Sequence, residues 1–600
     1  MQKFLTALVT SSLVVAALVA APVSVKAAAE TYYVGPGTDT GGSCTTPDYT
    51  TDAVDDDEAI QDAVDAAVAN AGVDTIVICD GSYVITAQID ATADTEGLII
   101  EGETSAELSV LDGAGASQFL DTNEDLTIGD LTFSNFAVVG DNGAVIHNDS
   151  IDDLLTVEGS VFEDNFAGYG GAIYWGGQGD INDSTFEDNS AGGNGGALYF
   201  GEDASIGYSV FDDNFAYHRG GAVYGDYVLI LNHSDFVSNS SFGSGGAVAT
   251  DNSVYTLHST FTGNGTTSKG GAIYANDDSS TGYSVFTDNT SGWRGGAIYN
   301  GNNLNDSGVG VRETHVYHSV FTGNQVLAET EVPWAQNGYG GAVFGRDECT
   351  VTDSTFTDNE VSVLDDARGG AVFCDEDIDL LADNRFSGNS ATGAGYGADG
   401  AGGAVFGNED LGWTTDNSST SGAFRNSFTN NTASDEGGGM YLEGDIEAQF
   451  SKNVFKRNSA GLSGGGLYVD EQLINDASFT GNRFDGNIAT DGDGGGAYFG
   501  AHLETGSVFK GNRFSRNRAG DLGGALRVDV GEYAAPLNLS RNTFVLNRAR
   551  IGGAVGGGEA VSRGDARVLQ RALRGNRLSK NKATQQRRTF NVGIEILEPG

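Results

Sequence analysis

Three residues ahead of a recurring phenylalanine the chain places Asp183, Tyr208, His233, His258, Tyr283, His318 and Asp353, 25 residues apart at first and 35 apart at the last two. If each interval is one turn of a stacked structure, the imidazole and phenol rings line up as one strip, and three of the chain's seven histidines fall in it. Rings in a row suit the flat faces of sugars, so Tyr208, His233, His258, Tyr283, His318 and Asp353 are the expected ligand-binding residues, with Trp334 on a long insertion beside them. The same spacing also fits ordinary exposed strand residues of high β propensity. General acid–base work needs carboxylates that converge at one place. Aspartate is too abundant here for spacing to single out a catalytic pair, and no catalytic residue is assigned.

The phenylalanines that set this register are Phe162, Phe186, Phe211, Phe236, Phe261 and Phe286, 24 or 25 residues apart, continuing through Phe321 and Phe356 to Phe544. Each has an asparagine three residues on, from Asn165 to Asn547, and most are followed by Gly-Gly-Ala and an aliphatic residue. A 25-residue unit of short β-type runs and glycine turns is too short for a propeller blade and lacks helical periodicity. It fits one rung of a parallel β-helix, which buries its apolar face only by stacking on its neighbours. Equivalent residues then form ladders at the strand spacing of about 4.8 Å. Two residues before the phenylalanine stands serine from Ser160 to Ser354 and asparagine from Asn384 to Asn576. Alternation puts this place on the phenylalanine's side, so it reads as an inward polar ladder and not as a row of nucleophiles. The acids of "FEDN", "FDDN" and "FTDN" read as turn residues.

A second ring ladder follows each Gly-Gly-Ala: Tyr174, Tyr199, Tyr224, Tyr274, Tyr299, Phe344, Phe373, Phe406, Tyr441, Tyr468 and Tyr498. Two readings stay open for it, glycan-facing rings or a self-stacked ladder covered by turns. The gap from phenylalanine to Gly-Gly is nine in most rungs but 19, 13 and 16 after Phe321, Phe356 and Phe386. Together with insertions carrying Trp334 and Trp413, these long loops would project from one side of a regular scaffold, where binding commonly resides.

Ahead of the repeats, "DDDEAIQDAVDAAVANAG" sets Ile60, Val64, Ala67 and Val68 on one helical face behind an acidic first turn. An open β-helix end exposes strand edges and core, so this helix and "DTIVICDGSYVI" are expected to close it. The opening "MQKFLTALVTSSLVVAALVAAPVSVKAAAE" has the lysine, apolar run and small residues of a secretory leader. The chain divides into an expected signal peptide over 1–29, a cap with irregular rungs over 30–125, and a β-helix with repeats over 126–600. Four cysteines in an exported chain favour two disulfides; local pairing joins Cys44 to Cys79 and Cys349 to Cys374.

The paired FxxN and GGA[ILV] motifs over about residues 160 to 585 resemble the repeats of the polymorphic outer membrane protein family, and the opening "TYYVGPGTDTGG…AIQDAVDAA…DTIVICDGSY" is similar to the start of many secreted β-helix proteins. The resemblance implies an all-β, right-handed parallel β-helix of about 15 or more rungs with an N-terminal capping helix, a pectin lyase-like fold, displayed at a cell surface and linked to adhesion. Family members that are autotransporters end in a membrane β-barrel. Here the repeats run to within about 20 residues of Gly600, so the expectation is release or peripheral attachment.

A net charge of −52, from 83 acids against 31 bases, argues against nucleic acid and anionic membranes as partners. Of those bases, 21 lie after residue 450, so the acidity belongs to the first three quarters. No apolar run beyond the leader is long enough for a membrane helix. The carboxylates leave room for calcium; no other cofactor or metal is implied. The expected protein is a monomeric, exported binder of a polysaccharide or a cell-surface protein. Polysaccharide lyases and hydrolases share this fold and supply the second reading, although the "GHG" and "RIK" signatures of polygalacturonase-like hydrolases are absent.

Overall fold

The structure, a computed structural model, describes residues 29–584 and 594–595, except 36–43, 52–55, 71, 94–96, 107–108, 116, 302–312, 328–336, 396, 413–420, 475–476, 502–506, 529–538 and 558–572. The expected leader therefore falls outside the described residues, apart from Ala29. One rung shows the plan of all the regular ones. A strand at Ala204–Gly207 turns a corner at Tyr208, continues as Val210–Asp212, bends at Asp213, runs through Phe215–Ala216 and crosses a Gly220–Gly221 turn. It then forms Val223–Gly225 before the next rung starts at Leu229–Asn232. Stacking these turns generates four all-parallel ladders. Among the described residues the first has 19 strands, the second 18 and the third 15, while the fourth runs from Ile89–Asp90 to Ile594–Glu595. The chain is a parallel β-helix, as its period implies.

Register is held by identical residues in contact. Phe211 pairs with Phe236 and Phe236 with Phe261 in the second ladder. Their rings stack at 4.8 and 4.7 Å, within 5° of parallel, and all are fully buried. Beside them the asparagines form a continuous hydrogen-bonded ladder. Asn264 Nδ2 donates to Asn289 Oδ1 at 3.0 Å and to the Phe236 carbonyl at 2.9 Å, and its backbone N–H donates to Asn289 Oδ1 at 3.0 Å. The serine column is equally buried, each backbone N–H donating to the hydroxyl one rung on, as Ser234 does to Ser259 at 3.2 Å. These side chains satisfy one another inside the core, which accounts for their repetition without chemistry.

The Gly-Gly pair meets two separate demands. Gly220 has φ 65°, and a Cβ on Gly221 would lie 1.9 Å from the carbonyl oxygen of Gly246 in the next rung. The first glycine supplies a left-handed backbone and the second permits rung-to-rung contact. The end of the solenoid is closed by helix α1, Asp57–Val68, which buries Ala59, Ile60, Ala63, Val64 and Ala67 against the first strands. Asp56 accepts a 2.7 Å hydrogen bond from Val84 N–H at its start. Both disulfides have the local pairing: Cys44–Cys79 ties the cap, and Cys349–Cys374 joins the first ladder to the fourth inside the core.

Candidate functional site

The strip forms, but on a corner and not on a strand. Position 208 lies between the first-ladder strand ending at Gly207 and the second-ladder strand starting at Val210. Tyr208, His233, His258, Tyr283 and His318 all have φ between 49° and 53°. The reading of them as exposed strand residues is corrected on this point: alternation is broken because the chain must turn between the two ladders. Their backbone N–H groups extend the ladder across the corner, Tyr208 N–H donating to Asn232 O at 3.0 Å and His258 N–H to Gly282 O at 3.2 Å.

With the backbone fixed this way, five side chains leave the same corner of successive rungs and stack. Ring centroids are 4.8 Å apart for Tyr208–His233, 4.7 Å for His233–His258, 5.0 Å for His258–Tyr283 and 4.8 Å for Tyr283–His318, with planes within 25° of parallel. Tyr208 keeps 56% and Tyr283 49% of its surface exposed, and the three histidines are exposed as well. Asp183 and Asp353 occupy the same corner at the two ends, with φ of 49° and 50°. Tyr317 meets Tyr283 edge-on at 5.7 Å. The result is a rigid, solvent-facing row of rings along the solenoid axis.

Left-handed backbone disfavours side chains other than glycine, asparagine and aspartate. Elsewhere this corner follows that rule in most rungs and not in all: Asp130, Gly159 and Asp183 precede the rings and Asp353, Asp383, Gly481 and Gly511 follow them, while Arg425, Lys452 and Arg541 take the same left-handed backbone. The second left-handed corner of the ring-bearing rungs holds Asp213, Gly263, Asp288 and Gly323, with Ser238 as its one departure. The "FDDN" and "FTDN" acids are thus turn residues, as their sequence suggests. Five consecutive rungs place rings where backbone conformation alone would select small or Asx residues.

The long loops leave a different corner. They depart after Leu327, Val363 and Gly393 of the third ladder and return by a three-stranded sheet of Gly338–Tyr339, Ala367–Arg368 and Gly400–Ala401. Val326, Val361, Val363, Ala367 and Ala391 form a small apolar core beneath it. Trp334 and Trp413 lie outside the described residues. The loop that carries Trp334 is rooted between the third and fourth ladders, and the described part of the candidate site is the ring strip. The ring ladder after Gly-Gly-Ala is settled as a covered one: Tyr224, Tyr274, Tyr299, Phe344, Phe373 and Phe406 are buried in a common cluster. Turn residues fold over these rings, Lys269 Nζ lying 4.7 Å above Tyr299 and Arg368 Cζ 5.1 Å above Phe406.

Metal-binding geometry is confined, among the described residues, to Cys44, Cys79 and Glu103, and the two cysteines there are spent in a disulfide. Several carboxyls of the first ladder are perturbed. Burial and then the Glu348 carboxylate push Asp379 well above its ordinary range, and burial lifts Asp377 to about 7. No helix among the described residues is long and apolar enough to cross a membrane.

These features define a parallel β-helix whose corner carries an exposed aromatic row. Within that class, the family model described as the Chlamydia polymorphic membrane protein repeat matches residues 183–201, 258–276 and 283–301. Each matched segment begins on a corner residue, at Asp183, His258 and Tyr283. The chain carries repeats of that type. No curated protein and no solved structure matches it.

Proposed function

We propose that this chain is an exported β-helix protein, displayed at a cell surface or released from it, that binds glycans along the Tyr208–His318 strip. The observation that carries the reading is the presence of five stacked, exposed rings on left-handed backbone. The corner takes Asp, Gly, Arg or Lys in other rungs, and rings in five successive rungs that stack and stay exposed point to a use beyond the turn. A flat ring row offers apolar faces edged with phenol and imidazole hydrogen-bonding groups, a surface suited to successive sugar rings. Two disulfides accord with an oxidising compartment, and the matched repeat is named for a membrane protein. Adhesion through such a strip follows if the glycan belongs to another cell.

The test is retention of the purified protein on a panel of immobilised neutral polysaccharides, with soluble products scored in parallel. Retention that falls about tenfold in the Tyr208→Asn/Tyr283→Asn double variant, at unchanged fold, is the expected result. Equal retention of the variant, or release of cleaved products by the wild type, overturns the reading.

A further inference from the structure

On the corner between the third and fourth ladders the chain inverts its own charge. The residue before each Gly-Gly forms one column: Asn194, Arg219, Ser244, Lys269, Arg294, Tyr339 and Arg368. The residue two beyond each covered ring forms another: Asp226, Asp251, Asn276, Gly301, Arg346 and Asp375. In the earlier rungs the second column answers the first. Asp226 accepts from the Tyr199 hydroxyl at 2.5 Å and Asp251 from Tyr224 at 2.7 Å, and Asp251 also pairs with Arg219 at 2.7 Å. The carboxylates then stop. Asn276 and Gly301 stand where they would be, Arg346 follows, and the opposite column turns to Lys269 and Arg294 in neighbouring rungs.

The two cations sit on dry aromatic walls. Lys269 Nζ is 4.8 Å from the Trp293 ring centroid and donates to the Tyr299 hydroxyl at 3.3 Å. Arg294 Cζ lies 4.5 Å from Trp293, 4.8 Å from Tyr339 and 5.0 Å from Phe344, and its Nε is buried without a hydrogen-bond partner. Among the described residues neither forms an ion pair. A Cβ on Gly301 would lie 2.9 Å from Arg346 Cβ, so the stem of the third basic side chain lies against the gap in the carboxylate column. Burial, and then the charges of Arg294, Arg346 and Arg219, push the Lys269 ammonium down to about 8. Asp375 feels Arg294 and Arg346, yet burial holds its carboxyl above the ordinary range. Gathering like charges on apolar rings is costly, and it happens here in a chain with 83 acids and 31 bases.

We propose that Lys269, Arg294 and Arg346 form an oxyanion site that takes a carboxylate or sulfate group. A guanidinium and an ammonium converging on one anion give charge-assisted hydrogen bonds, which a half-buried aromatic surround strengthens. The cation–aromatic stack holds the donors in place before the anion arrives. This site is on a different corner from the ring strip and does not depend on it. Its ligand is a free anion or an anionic group carried on a polysaccharide.

The experiment titrates the full chain with dextran sulfate, polygalacturonate, neutral dextran and sodium sulfate, followed by calorimetry. The sulfated or uronate polymer is expected to bind more tightly than neutral dextran, and the excess to depend on Lys269 and Arg294. The Lys269→Gln/Arg294→Gln variant is expected to bind about tenfold or more weakly, while Arg219→Gln, whose charge is already matched by Asp251, binds like wild type. Heat from sodium sulfate alone assigns the site to free anions as well; heat from polymer alone assigns it to the polysaccharide. If the double variant fails to fold, Lys269→Met keeps the stem on Trp293 without the charge and is expected to show the same direction of loss. No binding of any anionic probe, or equal binding by a folded variant lacking the Lys269 charge, overturns the proposal.

Discussion

His258 carries two opposed demands in a single residue. Its ring stacks between His233 and Tyr283, and its backbone has a φ of 52°. Removing the ring deletes both stacked contacts whatever replaces it, so the comparison between two ring-free variants isolates the backbone. Asparagine visits the left-handed region readily and alanine does not, a difference of about 1 kcal/mol. His258→Asn is therefore expected to unfold later in urea than His258→Ala by about that amount. Local hydrogen exchange around residues 254–262 measures it. Equal protection in the two variants would show that the corner imposes no such selection, removing the main support for a ligand strip. Part of the left-handed corner could have been read in advance, since Asp130, Gly159, Asp183, Asp353, Asp383, Gly481 and Gly511 share the ring column, although Arg425, Lys452 and Arg541 dilute the signal. It was masked by strand alternation, which predicts a continuous extended chain through positions where two sheets in fact meet.

At the level of elements, ladders concentrate consequences. Asn264 gives or receives hydrogen bonds with Asn239, Asn289 and Phe236. Asn264→Ala leaves several buried donors and acceptors unpaired, each costing about 1–3 kcal/mol. Loss of amide protection is expected across the rungs of Phe236, Phe261 and Phe286, with distant rungs unchanged; protection lost evenly along the chain would contradict nearest-neighbour stacking. The first ladder adds a pH effect at a register shift. Cys349 pairs with Ile378 and Thr350 with Leu380, so Asp379 is the extra residue of a bulge. Its raised carboxyl and that of Asp377 hold protons in the folded chain at pH values where the unfolded chain has released them. Folding then takes up protons, and this part of the stability falls as pH rises from about 4 upward through 7. Asp379→Asn is expected to match wild type near pH 4 and to melt higher at pH 8. A midpoint difference independent of pH would rule out the titration. The inward phenylalanine, serine and asparagine columns and both disulfides could be read from spacing, because each depends on one residue type repeated at one period. The bulge, the loop sheet at Gly338–Tyr339 and the cation cover over the Tyr299 ring could not. Each depends on how residues of different rungs, with different loop lengths, fold over one another.

For the whole molecule, rung-by-rung stacking turns charge distribution into a stability profile. Each turn of a solenoid contacts only its neighbours, so self-repulsion acts where the charge is and is not shared over the chain. Of the 31 bases, 21 lie after residue 450, while most of the 83 acids lie before it. Within this last quarter arginines meet carboxylates, Arg516 at Asp485 and Arg550 at Asp521 across rungs and Arg483 at Asp485 within one strand. In the earlier rungs like charges stack directly, Glu313 beside Glu348 and Glu163 beside Glu187. Going from 0.01 M to 1 M sodium chloride shortens the screening length from about 30 Å to about 3 Å. That change relieves repulsion in the acidic rungs and weakens attraction in the basic ones. Hydrogen exchange followed by mass spectrometry is expected to slow with salt over residues 150–450. Over residues 451–550 it is expected to stay level or quicken. A uniform response along the chain would mean that the solenoid opens as one cooperative unit, and that its charge asymmetry has no part in setting which rungs are firm.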